Sequence, residues 1–365
     1  MQSYRIGLIP GPVRVPEEIR SAWQNDYGSS DLEDEFFTLY RENQSLIQKL
    51  LHTRNDIVIT SGEAMSVLWA SLKCTLRPGG KLLAVSSGLF GEGFAEMART
   101  LGVSAEVCAF PYDEIPDPQK VHDHAERFRP DVITAVHCET PSGTLIPQPC
   151  LAEIGRTARE AGALFVVDFV SSAGGAELDA DACGIDIGLL GSQKVLSLPP
   201  CLSVSSVSQR AWEIIADVNY QGYESYLGWK NIPEQHYMPY THDWHAMKAL
   251  NISLNMIMRE GIGSQLQRHE DAAKLCREMG QEIGLKLFPK DSRYSSPTVT
   301  AFYVPEKFSW PEFDGALREK GLAVGGNYGK LSGRVFRVGH MGSQADCELV
   351  REGMKIVRDV LHSLR

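Results

Sequence analysis

ALFVVDFVSSAGG, residues 163–175, runs five apolar residues into an aspartate and then into a small, polar exit. A strand with no polar alternation is buried on both faces. That marks an interior strand of a parallel sheet covered by helices. The same rhythm recurs along the chain. NDIVITSGEAM, GKLLAVSSGLFGEG, PDVITAVHCETPSG and GIDIGLLGSQK each carry a short apolar run into small or polar residues. Amphipathic stretches such as PCLAEIGRTAREAG lie between them. Strands alternating with helices predict an α/β fold with a largely parallel sheet. Ligands of such sheets gather outside the carboxyl ends of the strands. The five polar exits, Ser61-Gly62, Ser87 to Phe90, Thr140, Asp168 and Gln193-Lys194, are therefore expected to converge.

The chain has 365 residues, 43% hydrophobic and 22% charged, with a formal net charge of -10. The length points to two unequal domains. We expect a large domain over 1–250, with an N-terminal arm at 1–20, and a smaller α+β domain over 251–365. Residues 211–245 read as irregular and aromatic-rich, and a long helical pattern over 245–283 breaks near EGIGSQ. The acidic balance argues against a nucleic-acid partner. No apolar run reaches the ~18 residues of a membrane span. The first residues lack a signal-peptide pattern, and the ending HSLR is not a peroxisomal address. Eight cysteines are scattered singly, without a CxxC pair, so neither a metal site nor a disulfide framework is expected. A cytoplasmic location follows as an expectation.

Lys194 and Asp168 carry the most chemistry. A lysine amine attacks an aldehyde only when unprotonated, and burial lowers its pKa. The common aldehyde cofactor for such a lysine is pyridoxal 5'-phosphate. Its ring is an electron sink while the pyridine nitrogen stays protonated, which a buried carboxylate enforces. A structural salt bridge is the competing reading. Ser61 and Gly62, between a strand and a helix, suit an anion at a helix N-terminus. Phe90, in a glycine-bracketed loop, is placed to stack on a planar ring or to anchor that loop. Thr140, with His137 and Glu139 beside it, is a polar strand exit. Arg337 in GRVFRVG has the fork that grips a carboxylate. The Pro-Gly-Pro turn around Gly11 reads as structural, or as a pocket wall.

In order, LIPGPVRVP, TSGEA, SGLFGEGF, HCETPSGTL, VVDFVSSAGG, GSQKVLSLPP, YTHD and GRVFRVGHMG resemble the class V aminotransferases, in particular the alanine/serine–glyoxylate aminotransferase group. The resemblance implies a fold-type I enzyme with a mostly parallel seven-stranded sheet and a smaller α+β C-terminal domain. It implies pyridoxal phosphate as cofactor and a homodimer with shared active sites. By position, Lys194 matches the Schiff-base lysine and Asp168 the partner of the ring nitrogen. Phe90 and Val170 match the residues on the two ring faces. Ser61, Gly62, Glu63, Thr140 and Gln193 match cofactor contacts, Thr241 a contact from the other subunit, and Tyr237 or Tyr240 its helper. Arg337, with Gly11, matches the substrate-binding positions.

The expected reaction moves an amino group from a small amino acid, alanine- or serine-like, to a 2-oxo acid such as glyoxylate or pyruvate, through a Lys194 aldimine. The alternatives are a lyase or desulfurase and a 2-aminoethylphosphonate-type transaminase, to which HCETPSG is similar. A non-catalytic protein that has kept the fold is a third reading. The sequence departs from the family at His242-Asp243, at Cys201 and in YGSSDLEDEFF, so substrate identity stays open.

Overall fold

The computed structural model describes residues 4–363; the chain ends weighed above, 1–3 and 364–365, lie outside the described residues. In chain order the strands are β1 Ile6–Leu8, β2 Asp56–Ser61, β3 Lys81–Ser86, β4 Ser104–Ala109, β5 Val132–Val136, β6 Cys138–Glu139, β7 Thr144–Leu145, β8 Leu164–Asp168, β9 Ile187–Gly191, β10 Leu202–Val207, β11 Val299–Tyr303, β12 Leu322–Val324 and β13 Val335–Gly339.

Seven of them form one sheet in the order β2-β10-β9-β8-β5-β3-β4. Strand β10 runs antiparallel to both neighbours. All other pairings are parallel. Strands β2, β3, β5, β8 and β9 therefore point the same way, and their carboxyl ends share one edge. Strands β5, β8 and β9 are buried at every residue. Helices cover this sheet, and Phe165, Val166 and Val167 have no exposed surface. Burying each such side chain contributes about 1.5–3 kcal/mol. The open edge at β2 is closed by Tyr40, whose hydroxyl accepts from Ile59 N–H at 2.8 Å and donates to Ile59 O at 3.2 Å. An unpaired strand edge is otherwise a template for misassociation.

A second apolar core joins Ile6, Leu8, Phe302, Phe313, Leu322, Phe336, Val338 and Val357. Here β11 pairs antiparallel with β13, and β1 runs parallel beside β12. The N-terminal strand thus crosses the molecule to join residues over 300 positions later. Between the two cores run the helices Trp244–Glu260 and Ile262–Glu282, broken at Gly261 as the sequence suggests.

Two expectations change. Residues 211–245 are not irregular throughout, because Gln209–Val218 is a helix capped by Ser208, whose side chain accepts from Ala211 N–H. It buries Ala211, Trp212 and Ile215 on one face. Phe90 is not in a loop either. It lies in the first turn of the helix Leu89–Thr100, whose end is capped from far along the chain by Glu139.

Close packing of the helix Gln148–Glu160 on the strand layer sets a test. A methyl group on Gly155 would meet the carbonyl oxygen of Cys183 at 2.0 Å, whereas one on Gly93 meets nothing within 4 Å. Gly155→Ala is expected to cost about 1–3 kcal/mol through overpacking. Its thermal midpoint should fall by several degrees, with Gly93→Ala unchanged or slightly stabilised. Equal midpoints for the two variants would contradict this packing.

Candidate active site

The carboxyl edge of the sheet carries the polar exits of β2, β3, β5, β8 and β9. Asp168 ends β8. Its Oδ1 accepts from Val170 N–H at 2.8 Å, and its carbonyl accepts from His137 N–H. The first bond folds the chain back over the strand end and sets Val170, half-buried, beside the carboxylate. Burial raises the Asp168 carboxyl to about 6, against the pull of the Val170 N–H and the Lys194 amine.

Lys194 lies three residues past the end of β9, in a turn rather than on the strand. That turn closes on Ser192, which donates to Pro199 O at 2.6 Å and accepts from Cys201 and Leu202 N–H. Ser197 N–H bonds Lys194 O. The Lys194 side chain crosses to the N-terminal turn, where Nζ donates to Pro10 O at 2.7 Å. Gly11, at φ +91°, lies flat against it, and a Cβ there would meet Lys194 Nζ at 2.7 Å. Glycine is the residue that tolerates both this backbone and this approach. Burial, then the neighbouring Arg337 charge, lowers the Lys194 amine to about 8. Much of it is therefore neutral just above physiological pH.

Arg337 sits on β13 and is 5% exposed. Its Nε donates to Gly326 O at 2.8 Å, and its guanidinium lies 5.1 Å from the Tyr328 ring centroid. It has no carboxylate partner among the described residues. Burying a cation without a counter-ion is costly unless an anionic ligand supplies one. Burial also pushes the guanidinium below its ordinary value. Sequence reasoning missed Tyr328 and the Pro10 carbonyl; neither carries a local signal.

Glu139 accepts from Gly91 N–H at 2.7 Å and from Phe90 N–H at 3.2 Å. It thereby fixes the half-buried Phe90 at the start of its helix. Burial pushes this carboxyl up to about 8 in spite of those donors. Thr140 Oγ1 is hydrogen-bonded to Ser171 Oγ. His137 Nδ1 meets Ser172 Oγ at 2.9 Å, and burial lowers this imidazole to about 4, so it is neutral.

At the start of the helix Met65–Thr75, Gly62 N–H donates to Cys201 O at 2.8 Å. Glu63 Oε2 accepts from Met65 N–H at 2.9 Å, and Glu63 Oε1 from Gln193 Nε2 at 2.6 Å. Ser61 is half-buried at the end of β2. Tyr237 and Tyr240 are exposed and bring nothing to the Lys194 group of this chain. Tyr240 packs on Tyr223 with centroids 4.6 Å apart, and Thr241 beside it is exposed.

Cys138 is buried against Ser296 at 3.2 Å, and Cys201 is held in the Ser192 turn. Burial raises both thiols to about 11, so neither is a mobile thiolate. Among the described residues no group of three or more His, Cys, Asp or Glu is placed to hold a metal ion. No helix among them is long and apolar enough to cross a membrane.

The aminotransferase class-V family matches residues 15–343. An uncharacterized aminotransferase of Methanocaldococcus jannaschii is 32% identical over 348 residues, 94% of this chain and 89% of that protein. A pyridoxamine–pyruvate transaminase of Mesorhizobium japonicum is 30% identical over 93% of this chain and 87% of its own length. The crystal structure of an alanine–glyoxylate aminotransferase from Nostoc sp. superposes with a TM-score of 0.93 at 28% identity, covering 99% of this chain and 96% of that one.

The lowered Lys194 amine gives a direct test. Only the neutral amine reacts with an amine-directed reagent, and its fraction rises with pH. Labelling of Lys194, followed by peptide mass, should be half-maximal near pH 8. Exposed lysines should follow near ~10.4. Lys194 titrating with the surface lysines would contradict the burial described here.

Proposed function

Because this chain belongs to the class-V aminotransferases and is an aminotransferase, we propose that Lys194, Asp168 and Arg337 are its working centre. The carrying observation is their joint placement: a lowered amine, a buried carboxylate and a buried guanidinium with no counter-ion among the described residues. The names of the similar proteins support a substrate range. An amino acid of alanine or serine size gives its amino group to a 2-oxo acid such as pyruvate or glyoxylate, and pyridoxamine is a further amine in that range.

The family cofactor, pyridoxal 5'-phosphate, has two ends. Its ring and aldehyde suit this site: Lys194 is the amine for the aldehyde, Asp168 the carboxylate for the ring nitrogen, and Phe90 and Val170 flank the space between. When bound, such a ring supplies an electron sink for a carbanion at the substrate's α-carbon. The phosphate end does not suit the side chains as they stand. The Glu63 carboxylate takes the Met65 N–H and the Gln193 amide, and Gly62 N–H is already bonded.

Arg337 holds the substrate carboxylate through its free Nη groups and fixes the α-carbon near Lys194. Neutral Lys194 Nζ takes the α-proton and returns it as an acid. Pro10 O orients the amine. Asp168, ionised above about pH 6, keeps a proton on a ring nitrogen beside it. Rates should therefore rise with pH between about 6 and 8, as Asp168 ionises and Lys194 loses its proton.

The exposed aromatics Tyr223, Tyr237 and Tyr240, with Thr241, support a homodimer in which Tyr237 or Tyr240 and Thr241 complete the other copy's site. Eight free cysteines support a cytoplasmic location. The two apolar cores support a large unit up to about 250 and a smaller one over 251–365 that takes β1 with it. The lyase reading is not favoured, since Cys138 and Cys201 are buried or clamped thiols.

Steady-state kinetics separate the roles. Lys194→Ala should lower kcat by ~10³-fold or more, in the range of lost acid–base and nucleophilic catalysis. Arg337→Gln should raise KM for the amino and 2-oxo acids ~100-fold, the size of a lost bidentate charge-assisted contact. An unchanged KM in Arg337→Gln would contradict its assignment.

A further inference from the structure

The surroundings of Glu63 have the wrong charge for a phosphate. Glu63 lies just ahead of the helix Met65–Thr75, before its N-cap Ala64, where an anionic ligand would be expected. Its own carboxylate fills that place, with Met65 N–H on Oε2 and Gln193 Nε2 on Oε1. Gln193 is 5% exposed, and its Oε1 has no partner among the described residues. The opposite amide orientation would turn an oxygen toward the carboxylate, so this one is fixed by charge. The Glu63 charge also reaches Asp168 and Lys194. These surroundings thus present a carboxylate and an unfilled acceptor. The N–H groups of Glu63 and Ala64, which no described acceptor takes, can serve the oxygen of a phosphate or of a hydroxyl equally. The carboxylate separates the two: it repels a dianion and accepts a hydrogen bond from a neutral hydroxymethyl group.

We propose that this site takes its pyridine aldehyde or amine without a phosphate, as an exchangeable substrate, and that Glu63 sets that choice. The inference rests on the reading of Lys194 and Asp168 as the anchors of the ring. The reaction is then a transfer between a pyridoxamine-type amine and a 2-oxo acid. The nitrogen leaves the ring's methylene carbon, which is oxidised to an aldehyde. It joins the carbonyl carbon of the 2-oxo acid, which is reduced to the α-carbon of an amino acid. Water taken up at one carbon is released at the other. Lys194 carries the proton between the two carbons. Without a phosphate anchor the ring is free to leave as product.

The test is aldehyde trapping. Full-length protein is incubated with pyridoxal or with pyridoxal 5'-phosphate over a concentration series and reduced with borohydride, and the Lys194 peptide is weighed. Wild type should be half-saturated by pyridoxal at a concentration on the order of 100-fold below that for the phosphate, as expected for a like charge held in contact. Glu63→Gln keeps the shape and removes the charge, and should narrow that ratio to within about 10-fold. Wild-type protein that carries a phosphopyridoxyl group on Lys194 as purified, or that prefers the phosphate, overturns the inference while leaving Lys194 as the anchor. An unchanged ratio in Glu63→Gln overturns the role of Glu63. No adduct on Lys194 with either aldehyde overturns the reading of the anchors themselves.

Discussion

Taking a lysine amine and an aspartate out of water at the ends of adjacent strands is the constraint on which the rest of this structure depends. Water stabilises both charged forms, and burial removes that stabilisation. The Lys194 amine falls to about 8 and the Asp168 carboxyl rises to about 6. Each is then poised near neutrality, where a proton is easily given or taken. The surroundings serve this poise. The Ser192 turn fixes the lysine backbone, Pro10 O receives the amine, and Val170 N–H holds the carboxylate.

A small apolar cluster of Val13, Cys138, Val195, Val299 and Met341 joins the two regions next to Lys194. Lys194 and Asp168 come from the large sheet, whereas Arg337 comes from β13 in the second core. The turn at Pro10 and Gly11 reaches Lys194 from β1, which itself lies beside β12. A Cβ on Gly325 would clash with Pro10 at 2.7 Å, so the N-terminal turn and the Arg337 strand are packed as one wall.

Strand ends were legible because their signal is local. The runs ending at Ser61, Asp168 and Gly191 are unbroken apolar segments with polar exits, and one sheet edge collects them. Phe90 was misplaced because its helix is capped by Glu139, 49 residues away, and no short window contains both. The helix Gln209–Val218 hides in an aromatic-rich stretch and shows only Ala211, Trp212 and Ile215 as its buried face. Pro10 meets Lys194 across 184 positions, and Tyr328 meets Arg337 through a loop with no pattern of its own. Glu63 entered only as a cofactor position implied by the family resemblance. Its meaning depends on Gln193, 130 positions on, holding the carboxylate in place.

A crystal structure of the protein soaked with a pyridoxal-type aldehyde tests the central claim most directly. The account expects density continuous from Lys194 Nζ into one ring, with the ring nitrogen within ~3.2 Å of an Asp168 oxygen. A ring bound elsewhere, or one joined to Lys194 whose nitrogen faces away from Asp168, would contradict it.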